Sequence, residues 1–272
     1  MTQHTHQTAP TQFVEANGIR FAYRRFGKSG GVPIVFNQHY TGTMDYWDPA
    51  VTDGLACDRE VILFNNAGVS SSSGEVPTTF EHMGANAIAF SRALGLNKAD
   101  VLGFSIGGMV AQEIALQAPD FVRKLILVGT GPRGGQGMES LTQVAQRIFG
   151  AAVLFSPSKA GQAAGGEFLK RKHLRQEGRD PEVNDKVSPA QIEAMDKWGV
   201  QQEGSYGYLK TIKQPTLVVN GSNDVNIPTV LSFIMQQNMP YAQLIIYPDS
   251  NHGAHHQYPE LFVEHATLFL NA

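Results

Sequence analysis

Three residues of this sequence could together make a hydroxyl nucleophilic: Ser105, Asp224 and His252. A serine hydroxyl is protonated at neutral pH. It needs an imidazole to take its proton, and the imidazole needs a carboxylate to hold its tautomer. Ser105 stands in Gly103-Phe104-Ser105-Ile106-Gly107, after the apolar Val101-Leu102 and before residues with helical spacing. A serine on so sharp a strand-to-helix turn is held with its Oγ clear of the sheet. The residues two before and two after it must lack bulk, and both are glycine. The helix start also favours negative charge on a substrate oxygen. Asp224 follows the apolar run Leu217-Val218-Val219, and His252 follows Leu244-Ile245-Ile246-Tyr247. Singly, these are a serine in a glycine-rich turn, a helix-capping aspartate and a loop histidine. In the order Ser, Asp, His, each just beyond a strand, they describe an acyl-transfer centre.

Three such groups, each just beyond a strand, suit an open, mostly parallel sheet, whose sites lie beyond the C-terminal strand ends. The first two strands are expected at 13–16 and 19–26, joined by an Asn17-Gly18 hairpin turn. Short apolar runs at 33–36, 61–64, 100–103, 125–129, 215–221 and 244–247 suit buried strands. Helical patterns fall between them: at 47–57, from Phe80 to Leu94, from Ile106 to a stop before Pro119, from Pro228 to about Asn238 and from Pro259 onward. Thr78 and Glu81 have capping-box spacing. The alternation predicts an α/β domain with helices on both faces of the sheet. It pauses between 131 and 211, where glycine-rich, helical and charged sequence predicts an insertion between core segments 13–130 and 212–272. Residues 1–12 read as a polar, poorly ordered tail. Lys170-Arg171-Lys172-His173-Leu174-Arg175 reads as a solvated helix face, since acidic residues follow closely. Phe149, Phe155 and Phe168 suit either an apolar roof over a pocket or the insertion's own core.

Composition narrows the function classes. The chain has 272 residues, 42% of them hydrophobic, and a formal net charge of −3, which points neither to nucleic acid nor to a membrane surface. No apolar run approaches the length of a membrane span, and the N-terminus lacks the pattern of a secretion signal. Cys57 is the single cysteine, so no internal disulfide forms and a reducing cytoplasm is expected. Oligomeric state is not legible.

The motifs GFSIGG, GSNDVNIP and SNHG resemble those of the α/β-hydrolase fold superfamily, over about residues 13–271. The nearest likenesses are small esterases, enol-lactonases and cofactor-free haloperoxidases or perhydrolases. The resemblance implies Ser105 as nucleophile, Asp224 as acid, His252 as base and 131–211 as a helical cap, with no cofactor and no metal. The family's loop after the third strand reads His-Gly-aromatic; here it is Gln38-His39-Tyr40. Aligning on Gly42 and Trp47 gives Tyr40 and Ile106 as backbone donors of an oxyanion hole, or Thr41 for Tyr40 if the register slips by one. His39 in place of glycine changes the pocket floor. Asn65 stands where an aspartate is usual, a position expected to be structural, and Asn251 where a glycine is common, which alters the freedom of the histidine loop. His255 and His256 are expected in capping or surface roles. With His252 they match no zinc spacing, and Gly103, Gly107 and Gly108 do not make a dinucleotide fingerprint. The implied reaction is hydrolysis of a small-molecule carboxylic ester or lactone. The alternatives are perhydrolysis, with peroxide replacing water, or a ligand-sensing protein of the same fold with little turnover.

Overall fold

The computed structural model describes residues 4–138 and 153–272. An antiparallel hairpin opens the sheet: β1 (Gln12–Ala16) and β2 (Ile19–Gly27). Its turn puts Asn17 at φ 51° and Gly18 at φ 75°, the left-handed pair that an Asn-Gly hairpin requires. The remaining strands are β3 (Ile34–Asn37), β4 (Glu60–Phe64), β5 (Ala99–Phe104), β6 (Val122–Val128), β7 (Thr216–Gly221) and β8 (Ala242–Tyr247). They form one eight-stranded sheet in the order β1-β2-β4-β3-β5-β6-β7-β8, parallel from β4 to β8.

Successive strand residues point to opposite faces, so each strand feeds two cores. Val35, Ile62, Val101, Leu125 and Val218 pack on one side with α2 (Phe80–Ala93) and α3 (Ile106–Gln117). Phe36, Leu63, Leu102, Ile126 and Val219 pack on the other with α1 (Pro49–Ala56). Burial on both faces is why these strands read as continuous apolar runs rather than alternating ones. Helix α2 is capped by Thr79, whose hydroxyl accepts from the His82 N–H at 3.2 Å, not by Thr78 as the capping-box spacing suggested. The Thr78 hydroxyl instead accepts from Lys197 Nζ.

Between β6 and β7 the described residues form α4 (Lys159–Lys172), α5 (Val187–Gly199) and a 3-10 turn (Gly207–Thr211), and no strand. Beyond β7 come α6 (Val230–Asn238), the short α7 (Ala254–Gln257) and α8 (Pro259–Asn271). Phe149 lies outside the described residues. Phe155 and Phe168 are buried against each other, and Phe168 packs on His256, so they form core between the segment joining β6 to β7 and the short helix α7.

Two further expectations are overturned by tertiary contacts. Residues 4–11 are not a loose tail. His6 is buried, with its Nδ1 2.9 Å from Thr52 Oγ1 and its N–H on Asp53 Oδ1. Nor is the basic cluster solvated throughout: Lys170 and His173 are exposed, but the two arginines are not free. Arg171 makes a bidentate pair with buried Asp48 at 2.8 and 2.7 Å. Arg175 is buried and donates to the carbonyls of His6, Gln7 and Ala9, so it anchors the N-terminal arm. Nearby, buried Arg24 pairs with Asp45, which also accepts the Asp180 N–H. Burial alone would raise the Asp45 carboxyl, but Arg24 outweighs it and holds the group below the usual carboxylate range. This network anchors the chain just after the loop that carries Tyr40. The letters of these segments are polar. Their burial comes from tertiary pairing, which periodicity does not report.

Candidate active site

Ser105 joins β5 to α3 at φ 57° and ψ −123°, a conformation that a residue bearing a side chain holds only when its surroundings fix it. Its N–H donates to Val128 O at 2.9 Å. A Cβ on Gly103 would come within 2.1 Å of Gly107 O, and one on Gly107 within 2.1 Å of Asn37 O. The two glycines therefore let the strand, the helix and the end of β3 close on the serine. Ser105 keeps 9% of its surface accessible.

Asp224 and His252 meet. Asp224 lies beyond β7, and its Oδ1 accepts from the N–H groups of Asn226 and Ile227 at 2.8 and 3.0 Å. This capping role and the acid role are not alternatives, since Oδ2 is left for His252 Nδ1 at 2.8 Å. A carboxylate oxygen only accepts, so Nδ1 is the donor, and the neutral imidazole in this tautomer has its lone pair on Nε2. Both side chains are almost wholly buried. The histidine loop is seated by close backbone approach. A Cβ on Gly221 would meet Asn251 O at 2.2 Å, and one on Gly253 would meet Leu154 at 2.9 Å. Asn251 itself donates to Phe155 O at 3.2 Å, which tethers the loop to the residues leading into α4. The His252 ring packs at 4.9 Å on Phe104, the residue before the serine. It also borders Gly129, the residue after Val128, where a Cβ would lie 3.2 Å from His252 Nδ1.

Thr41, at φ 52°, gives its N–H to Gln191 Oε1 at 2.7 Å. The Tyr40 N–H has no acceptor among the described residues. The Ile106 N–H, at the first position of α3, has no intrahelical acceptor. His39 Nδ1 lies 2.9 Å from Tyr40 O, so this nitrogen carries the proton. Asn65 is structural in its contacts: it accepts from the Met44 N–H and donates to Asp180 Oδ1, both at 2.9 Å.

His255 and His256 are buried, contrary to a surface role. Their rings pack against each other at a tilt with centroids 3.8 Å apart, and both pack on Phe104. Among the described residues no group of three ligand-type side chains is arranged to hold a metal. Burial lowers the His39 imidazole to about 4 and the distant His6 to about 3, and it holds His255 and His256 well below the ordinary value. All four are therefore neutral in the folded state at pH 7. In the unfolded chain each takes a proton near 6.5. Stability is thus fully present above that pH and drains as pH falls toward the folded values, by up to about 1.4 kcal/mol per pH unit per histidine. The urea midpoint is expected to drop steeply between pH 6.5 and pH 4. A midpoint flat across that window would contradict the burial of neutral imidazoles.

The profile of the alpha/beta hydrolase fold matches residues 32–259. The chain belongs to the alpha/beta hydrolase fold family. An alpha/beta hydrolase fold protein from Chitinophaga pinensis superposes with a TM-score of 0.94 at 38% identity, over 99% of this chain and 100% of that one. A pimeloyl-(acyl-carrier protein) methyl ester esterase from Nitrosomonas europaea is 32% identical over 182 residues, 60% of this chain and 68% of that protein. The enol-lactonase of Burkholderia xenovorans LB400 superposes with a TM-score of 0.77 over 96% of this chain and all of its own, at 17% identity, a likeness of fold alone. Among the described residues of this alpha/beta hydrolase, no helix is long and apolar enough to cross a membrane.

The residues that sequence reasoning missed lie on α5. Ser188 and Gln191 reach Tyr40 and Thr41 from about 150 positions away. No local signal marks such a contact.

Proposed function

We propose that this alpha/beta hydrolase cleaves a small carboxylic ester or lactone through an acyl-enzyme on Ser105. The observation that carries the reading is the hydrogen bond from His252 Nδ1 to Asp224 Oδ2, made just beside the strained serine turn. Ser105 Oγ attacks the carbonyl carbon while His252 Nε2 takes its proton, and His252 then gives that proton to the leaving alkoxide. Asp224 holds the imidazole in the tautomer this requires. The N–H groups of Tyr40 and Ile106 receive the oxyanion. Tyr40 is assigned in preference to Thr41 because the Thr41 amide is already given to Gln191. A water activated by His252 then releases the acid. Residues 131–211 act as the cap that shapes the pocket, and the lone Cys57 suits a reducing cytoplasm.

A panel of esters of graded acyl size, lactones and carbamates, run with and without peroxide, tests this. Turnover of an ester or lactone that yields acid rather than peracid supports the reading. Peracid as the main product with peroxide present favours perhydrolysis. Tight ligand binding without turnover across the panel overturns the hydrolase reading in favour of a sensor.

A further inference from the structure

The loop that carries the Tyr40 N–H is gripped from the cap. The Tyr40 carbonyl accepts from His39 Nδ1 at 2.9 Å. On the same peptide unit, the Thr41 N–H donates to Gln191 Oε1 at 2.7 Å. The Tyr40 hydroxyl lies 2.5 Å from Ser188 Oγ. Ser188 and Gln191 are three apart, on one face of α5. That helix is itself firmly seated. Ala194, Met195 and Trp198 are buried in the core, and Trp198 Nε1 donates to Gly131 O at 3.3 Å. Thr41 sits at φ 52°, a conformation that persists only under external constraint, and the Gln191 bond lands on that residue. The loop also packs tightly beneath. A Cβ on Gly42 would come within 2.8 Å of Gln38 Oε1 and 3.0 Å of His39 Nε2.

We propose that Gln191, with Ser188, is a positioning residue for the oxyanion hole: α5 holds the Tyr40–Thr41 peptide unit and the Tyr40 side chain, and so limits rotation about Tyr40 of the preceding His39–Tyr40 peptide, whose N–H faces the developing oxyanion. The proposal rests on the ester-hydrolysis reading. The physical ground is that a hydrogen bond weakens steeply with misalignment, and that a donor aimed at the transition-state oxygen stabilises that state more than the bound ester. Loosening the loop should therefore cost rate and leave ground-state binding in place. His39 completes the grip from the core side. With its proton on Nδ1 it donates to Tyr40 O without needing a charge.

The test compares wild type with Gln191→Leu, which keeps bulk and removes the acceptor, and with Ser188→Ala, a milder loss. Three quantities are read: kcat and KM on a chromogenic ester, the inhibition constant of a trifluoromethyl ketone that forms a tetrahedral adduct on serine, and the melting temperature. Deleting an oxyanion donor outright costs about 100- to 1000-fold, so misaiming one is expected to lower kcat by about 10- to 100-fold in Gln191→Leu. The ketone should weaken by a matching factor, and KM should stay within about threefold. Ser188→Ala should move the same way by less, and it carries the test if Gln191→Leu does not fold. A rise in KM alone, or ketone binding unchanged while only the melting temperature falls, overturns the positioning role. A wild type that neither turns over esters nor binds the ketone refutes the hydrolase reading itself. A competent wild type with an indifferent Gln191→Leu refutes only the part assigned to α5.

Discussion

Replacing Ser105 by alanine is expected to abolish ester turnover, with a loss on the order of a million-fold in kcat, while the protein stays folded. The attack on the carbonyl needs the Oγ lone pair, and no neighbouring hydroxyl can substitute for it on the same turn. The side chain contributes little to packing, since the turn is held by the Ser105 N–H to Val128 O bond and by the bare faces of Gly103 and Gly107. Ser105→Ala keeps all of these. The checks are steady-state rates on a chromogenic ester beside thermal unfolding. Residual activity within tenfold of wild type would remove Ser105 from the mechanism. Loss of activity accompanied by unfolding would leave the substitution uninformative as chemistry and refute the packing argument.

The second large effect separates the histidines. His252→Ala is expected to cost on the order of a million-fold in single-turnover acylation, and Asp224→Asn about ten-thousand-fold. The asparagine amide can turn an N–H toward the imidazole where an acceptor is needed, which favours the wrong tautomer. His255 and His256 should behave differently. They are buried beneath Phe104, and both His255 ring nitrogens lack a partner among the described residues. His255→Ala should therefore act on stability, by about 2–4 kcal/mol as a large-to-small core change, with acylation by the folded fraction within about tenfold of wild type. His255→Phe keeps ring volume and removes the unpaired nitrogens, so it should cost less stability than His255→Ala and flatten the acid loss of stability. Acylation that survives His252→Ala and collapses in His255→Phe would move the base.

Much of the framework was legible because its signals are local. β3 to β7 read as apolar runs because both faces of each strand are buried. The hairpin was legible because Asn17-Gly18 supplies two left-handed residues in succession. Ser105, Asp224 and His252 were singled out by type, by order and by position after strands. The hydrogen bond between the last two joins residues 28 positions apart that end neighbouring strand exits. What failed was polar sequence whose burial depends on distant partners. The N-terminal arm reads as a tail until Arg175 takes its carbonyls. Arg171 reads as a solvated charge until Asp48 meets it. His255 and His256 read as surface because one turn of helix carries no periodicity. Thr78 and Thr79 compete for one cap, and spacing alone chose the wrong one. The preference proposed for Tyr40 over Thr41 rests on Gln191, which only folding brings to the loop.

The central claim is a covalent acyl-enzyme on Ser105 formed with His252 as base. It is tested most directly by mixing the wild-type protein with a slowly deacylating ester, quenching in acid before the first turnover completes, and locating the acyl mass by peptide mass spectrometry. The expected result is one acyl group on the peptide carrying Ser105, absent from His252→Ala at the same time point. An acyl group on another residue, or turnover with no covalent adduct at any time, would contradict it.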